Sequence, residues 1–141
     1  MIRKLFLNLS LLLVVITFNS GCVNRATSTI NPNANLDGIK SIYVNKFESD
    51  VSGINLLIAN KLKKMGYLVS TEIDTPPNVD VVVTYKDKWA WDITWYLLDL
   101  TITIRDPKTN FPLASGNSHH TSFTRKSPEE MVDEVIDNIF K

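Results

Sequence analysis

The sequence predicts an α+β fold, a two-layer sandwich in which a mostly antiparallel sheet carries two amphipathic helices in the order strand, helix, strands, helix. Two segments repeat apolar residues at helical spacing: Ile54, Leu57, Ile58, Leu62 and Met65 in one, Met131, Val132, Val135, Ile136 and Ile139 in the other. A third segment alternates with period two, with Tyr96, Leu98, Leu100, Ile102 and Ile104 set against Leu97, Asp99, Thr101, Thr103 and Arg105. Two helical stripes need a sheet face to cover, and the alternating strand supplies one.

In chain order, "IKSIYVNKF" (Ile39 to Phe47) is β-branched and aromatic and reads as the first strand. The first helix follows, with Ser52 placed to cap its start, lysines at its negative C-terminal end and Gly66 as the left-handed residue that ends it. "YLVST" reads as a short strand, and "EIDTPPN" as a loop, because Pro76 and Pro77 cannot continue a ladder. "VDVVVTYKDKWAW" and "TWYLLDLTITIRD" are two long strands reversing near Asp92 and Ile93. "RDPKTNFP" is a hairpin turn, with Asp106 and Pro107 at its first two positions and Asn110 where the left-handed region is needed. A last strand runs through "LASGNSHHTSF", and Ser127, Pro128 and Glu130 then form a capping box for the second helix. The acidic "SPEE" and "DEVID" satisfy that helix start and its solvated face.

The N-terminus has a different character. Arg3 and Lys4 precede an apolar run from Leu5 to Phe18 interrupted only by Asn8, Ser10 and Thr17. That run is short of the roughly 20 apolar residues a spanning helix requires, so it reads as a signal peptide, residues 1–21. Asn19, Ser20 and Gly21 lead to Cys22, the only cysteine of the 141 residues. Small residues at the two positions before a cysteine resemble the lipobox of bacterial lipoproteins, although Asn19 stands where that family usually has an aliphatic residue. The resemblance implies lipid attachment at Cys22, the competing reading being ordinary secretion. It also implies sorting: Val23 rather than Asp after the cysteine points to the outer membrane, with the protein facing the periplasm. Residues 22–38 are rich in Asn, Thr, Ser and Ala and read as the lipidated cysteine and a flexible tether to a single domain, residues 39–141.

Loss of residues 1–21 removes two of the 15 basic side chains and none of the 15 acidic ones. The near-neutral remainder lacks the basic footprint of nucleic-acid binding. A single cysteine allows no internal disulfide, so the core alone holds the domain.

No catalytic residue, cofactor site or metal ligand is assigned. There is no G-x-S-x-G turn, no phosphate-binding glycine loop and no cysteine within the fold, and the serines read as cap and loop residues. His119 and His120 are adjacent, so on a strand they point to opposite faces and cannot chelate together. The most unusual composition is "WAWDITWY", which gathers Trp89, Trp91 and Trp95 with Tyr96 around one reversal. These rings either close the end of the core or form an exposed aromatic edge that docks a partner, a glycan or the membrane.

The order "GY" after the first helix, then "DVVVTYK", "LTITIRDPKTNFPLASG" and a closing amphipathic helix, resembles small bacterial lipoproteins of unknown function. The resemblance implies a fold and a cell-envelope location. The expected function is a membrane-anchored, non-enzymatic interaction or assembly module that binds an envelope protein. The alternatives are a small-molecule or lipid-binding protein with a pocket lined by Trp89, Trp91 and Tyr96, and a periplasmic immunity or inhibitor protein using the same corner.

Overall fold

The computed structural model describes residues 25–47, 50–71 and 78–141. The expected signal peptide, Cys22 and residues 72–77 of the proline-containing loop lie outside the described residues. The elements are β1 (Arg25–Ile30), β2 (Ser41–Val44), α1 (Ile54–Lys64), β3 (Leu68–Ser70), β4 (Val81–Asp92), β5 (Thr94–Arg105), β6 (Pro112–His119), a 3₁₀ turn (Ser122–Thr124) and α2 (Pro128–Ile139). One six-stranded mixed sheet runs in the order β1-β6-β5-β4-β2-β3. The fold class is therefore α+β. β1, β6, β5 and β4 pair antiparallel, while β2 lies parallel to both β4 and β3.

Both helices pack with the sheet into one core cluster. Met131, Val132, Val135, Ile136 and Ile139 of α2 are all buried, as the spacing predicts, against a face built from Val83, Tyr85, Leu100, Ile102 and Ile104. Gly116 of β6 lets α2 come close, because a Cβ there would stand 2.8 Å from Val135 Cγ1. The capping box at Ser127 and Glu130 is present. On α1 the buried set is Ile54, Asn55, Ile58, Ala59 and Leu62, and Met65 is exposed, because the helix stops one residue before it.

Four expectations are corrected. The presumed tether is partly sheet: β1 pairs with β6 from Arg25↔His119 to Ile30↔Ala114. Edge pairing is made by backbone groups, so a polar strand exposed on its surface needs no apolar alternation. The residues after it are also ordered, with Asn33 and Asp37 N–H groups donating to the side-chain oxygens of Asn31 and Asn35, and Leu36 packed on the core. Second, Ser52 does not cap α1. Gly53 occupies the cap at φ 72, and the Asp50 carboxylate accepts from the N–H groups of Ser52, Gly53 and Asn55 at 2.9, 2.8 and 3.2 Å.

Third, the alternation of β5 slips. Lys88 pairs with Asp99 but Trp89 pairs with Leu97, which leaves Leu98 as a bulge residue. Leu97 is consequently buried where Tyr96 and Leu98 were expected in the core. Fourth, β6 ends at His119, and Phe123, expected to continue the strand, sits in the 3₁₀ turn facing solvent.

Candidate functional site

The sheet's central hairpin outgrows its neighbours. β6 pairs with β5 only as far as Asp99, and β2 pairs with β4 only at Val81, Val82 and Val83. Beyond the Lys88–Asp99 rung, β4 and β5 continue as a two-stranded ribbon closed at Ile93. Five residues at roughly 3.3 Å each carry the tip about 17 Å past that rung. Directly paired residues share a sheet face, so Trp91 and Trp95, which pair across the ribbon, lie on the face that continues through Trp89 and Leu97 into the core. Helix cover ends before they are reached: Leu97 is buried and Trp89 is partly buried, but Trp91 is 64% and Trp95 69% exposed.

Tyr96 pairs with Ala90 and therefore lies on the opposite face. The pocket expected between Trp89, Trp91 and Tyr96 is not formed, since two of its walls point to different sides of one ribbon and Trp91 faces solvent.

Ile93 closes the ribbon with φ 63 and is 86% exposed. A β-branched residue in the left-handed region costs on the order of 1 kcal/mol or more, and Gly or Asn would make the turn without that cost. Leaving a large aliphatic side chain in water there gains no burial in return. The position therefore carries an apolar group against both backbone and solvation preferences.

The ribbon is braced from one side. Arg125 donates to Thr94 Oγ1 at 2.7 Å and to the Asp92 carbonyl at 2.8 Å, contacts the Asp92 carboxylate at 3.4 Å, and stacks its guanidinium 4.4 Å over the Tyr96 ring. Ser122 donates to the same carboxylate. Trp89 Nε1 donates to Asp87 Oδ2 at 2.7 Å, fixing the base of the aromatic row. The brace brings Phe123, 96% exposed, beside the ribbon. Trp91, Ile93, Trp95 and Phe123 thus project from a held frame, with the charge of Asp92 countered by Arg125.

A second constellation lies under α2. Glu134 accepts from Ser118 Oγ at 2.8 Å and from Lys126 Nζ, and its Oε2 lies 2.8 Å from His120 Nε2. Burial works to raise its pKa, but the bonds from Lys126, His120 and Ser118 outweigh it and hold the carboxyl down at about 2. Ser118 near the end of β6 and His120 just past it are buried, so the serines are not all cap and loop residues. His119 engages a different carboxylate, Asp99, at 3.2 Å, and the two histidines do not converge. Among the described residues no group of three His, Cys, Asp or Glu is placed to hold a metal ion, and no helix is long and apolar enough to cross a membrane.

No protein-family model matches the chain, and no curated protein matches it. Solved structures do. A single-substitution variant of PelC from Paraburkholderia phytofirmans, a dodecamer, superposes with TM-score 0.58 at 17% identity over 82% of this chain and 96% of that one. A PelC dodecamer from the same organism in another crystal form gives TM-score 0.56 at 15% identity, covering 83% and 98%. A PDZ domain protein from Parabacteroides distasonis gives TM-score 0.52 at 12% identity over 80% of this chain and 33% of its own length. At these identities the likeness shows the fold, a six-stranded mixed sheet with two helices, and that alone.

Of the residues singled out in the sequence, the structure gathers Trp89, Trp91, Trp95 and Tyr96 on one ribbon and exposes two of them. Ile93, Phe123 and Arg125 were not singled out. Ile93 carried a signal, since a reversal with neither Gly nor Asn at its centre forces an unusual residue into the left-handed region. Phe123 and Arg125 carried none, because their placement depends on where β6 stops.

Proposed function

We propose that the protein is a non-enzymatic interaction or assembly module of the bacterial cell envelope, held by a lipid on Cys22 at the periplasmic face of the outer membrane. The observation that supports this reading most is the braced ribbon, which keeps Trp91, Ile93, Trp95 and Phe123 in water on a fixed frame. Aromatic side chains of this kind dominate docking surfaces because they combine large apolar area with little conformational entropy to lose. The accompanying architecture is a two-layer sandwich, mostly antiparallel, with both helices on one sheet face.

The assembly half of the reading draws on the likeness to PelC, described as a dodecamer. By that analogy several copies of this chain associate through closed symmetry. Multi-angle light scattering on the full chain extracted from envelope membranes tests it. A species of more than two copies is expected. A monomer at every concentration, recovered from the soluble periplasmic fraction, would overturn both the assembly and the anchoring.

A further inference from the structure

The chain enters β1 at the same end of the sheet from which the aromatic ribbon projects. Arg25 pairs with His119, His119 with Asp99, and Asp99 with Lys88, so these four residues form one rung across the sheet. The ribbon continues from that rung to Ile93. β1 runs away from it, toward Ile30 at the far end. Cys22 lies three residues before Arg25. Three residues span at most about 11 Å, so Cys22 stays close to the rung whatever path they take. The ribbon tip lies roughly 17 Å past the same rung.

We infer that the occupant of the ribbon tip is the lipid bilayer to which Cys22 is attached, with Trp91, Ile93, Trp95 and Phe123 entering its headgroup and upper acyl region. This rests on the reading of Cys22 as the lipid site and names what the ribbon docks. With Cys22 at the membrane surface, no long tether separates bilayer and domain, because the stretch expected to supply one is paired as β1. Where residues 22–24 continue the line of β1, the tip reaches roughly 6 Å beyond Cys22, within the 5–10 Å to which interfacial apolar groups bury. Tryptophan suits that depth, having an apolar body and one N–H donor. The local charge fits too: Asp92 is neutralised by Arg125, and Lys88 is exposed at the ribbon's base. Membrane attachment through lipid chains and a protein insertion together fixes orientation, which lipid chains alone do not.

Because Cys22 is the only cysteine, the chain beginning at residue 22 couples through its thiol to vesicles of phosphatidylethanolamine and phosphatidylglycerol carrying a maleimide headgroup. The coupling is chemical, so the result does not depend on whether cells lipidate Cys22. Tryptophan emission should shift to the blue on coupling and be quenched by acyl chains brominated near the headgroup. Ile93→Asn, which relieves the left-handed strain and so keeps the fold, should cut that quenching roughly threefold or more, with 0.5 M salt changing it little. Emission and iodide accessibility equal to those of the uncoupled chain would overturn the inference, as would quenching unchanged in Ile93→Asn. Shielding of the tryptophans that rises with protein concentration without vesicles would overturn it in favour of a second copy of this chain as the occupant.

Discussion

Glu134 shows how single residues hold the sheet's end to α2. Its carboxylate is the common partner of Ser118, His120 and Lys126, so one helical side chain ties together the end of β6 and the segment leading into the helix. Its pKa stands at about 2 against an ordinary 4.5. A carboxyl depressed by folding contributes stability above its unfolded pKa and loses it as pH falls toward the folded value. The contribution, on the order of 3 kcal/mol, is therefore complete above about pH 5 and lost by about pH 2. Glu134→Gln should lower stability at pH 7 and flatten this acid limb in denaturant unfolding measured from pH 7 to pH 2.5. Some slope should remain, because Asp50 is also held low: burial opposes this, but bonds from the Tyr85 hydroxyl and the N–H groups of Asn55, Ser52 and Gly53 prevail. An unchanged pH profile in Glu134→Gln would show that the cluster is not coupled to folding.

At the scale of elements, the ribbon separates residues that look alike in the sequence. Trp89 packs on the core while Trp91 and Trp95 do not. Trp89→Ala should cost about 1 to 3 kcal/mol through lost burial. Trp91→Ala and Trp95→Ala should each change stability by less than about 0.5 kcal/mol. Urea unfolding of the three variants reads this directly, and equal large losses would return all three rings to the core. The helices were legible from their stripes, and α2 in every buried residue, because helical periodicity and a capping box are local signals. The parity of β5 was legible only as far as Leu100. Alternation assumes an unbroken ladder, and the bulge at Leu98 is set by the pairing with β4, which no local pattern in β5 records. The same holds for the start of α1, where the cap comes from Asp50 rather than from the serine next to the helix.

At the scale of the molecule, the largest departure from the sequence reading is β1. A polar Asn-, Ser- and Thr-rich stretch has the composition of a linker, and what makes it a strand is an open edge on β6 that only the assembled sheet provides. The consequence reaches function, because pairing residues 25–30 brings Cys22 to within a few residues of the fold and to the ribbon's end of it. With the proposed lipid on Cys22, the lipid and the ribbon together would set the orientation of the whole protein. Intact-mass spectrometry of the protein extracted from envelope membranes tests this most directly. A chain beginning at Cys22 and heavier than residues 22–141 by the mass of its lipid chains is expected, replaced in Cys22→Ser by the unprocessed precursor. An unmodified chain beginning at any other residue would contradict it.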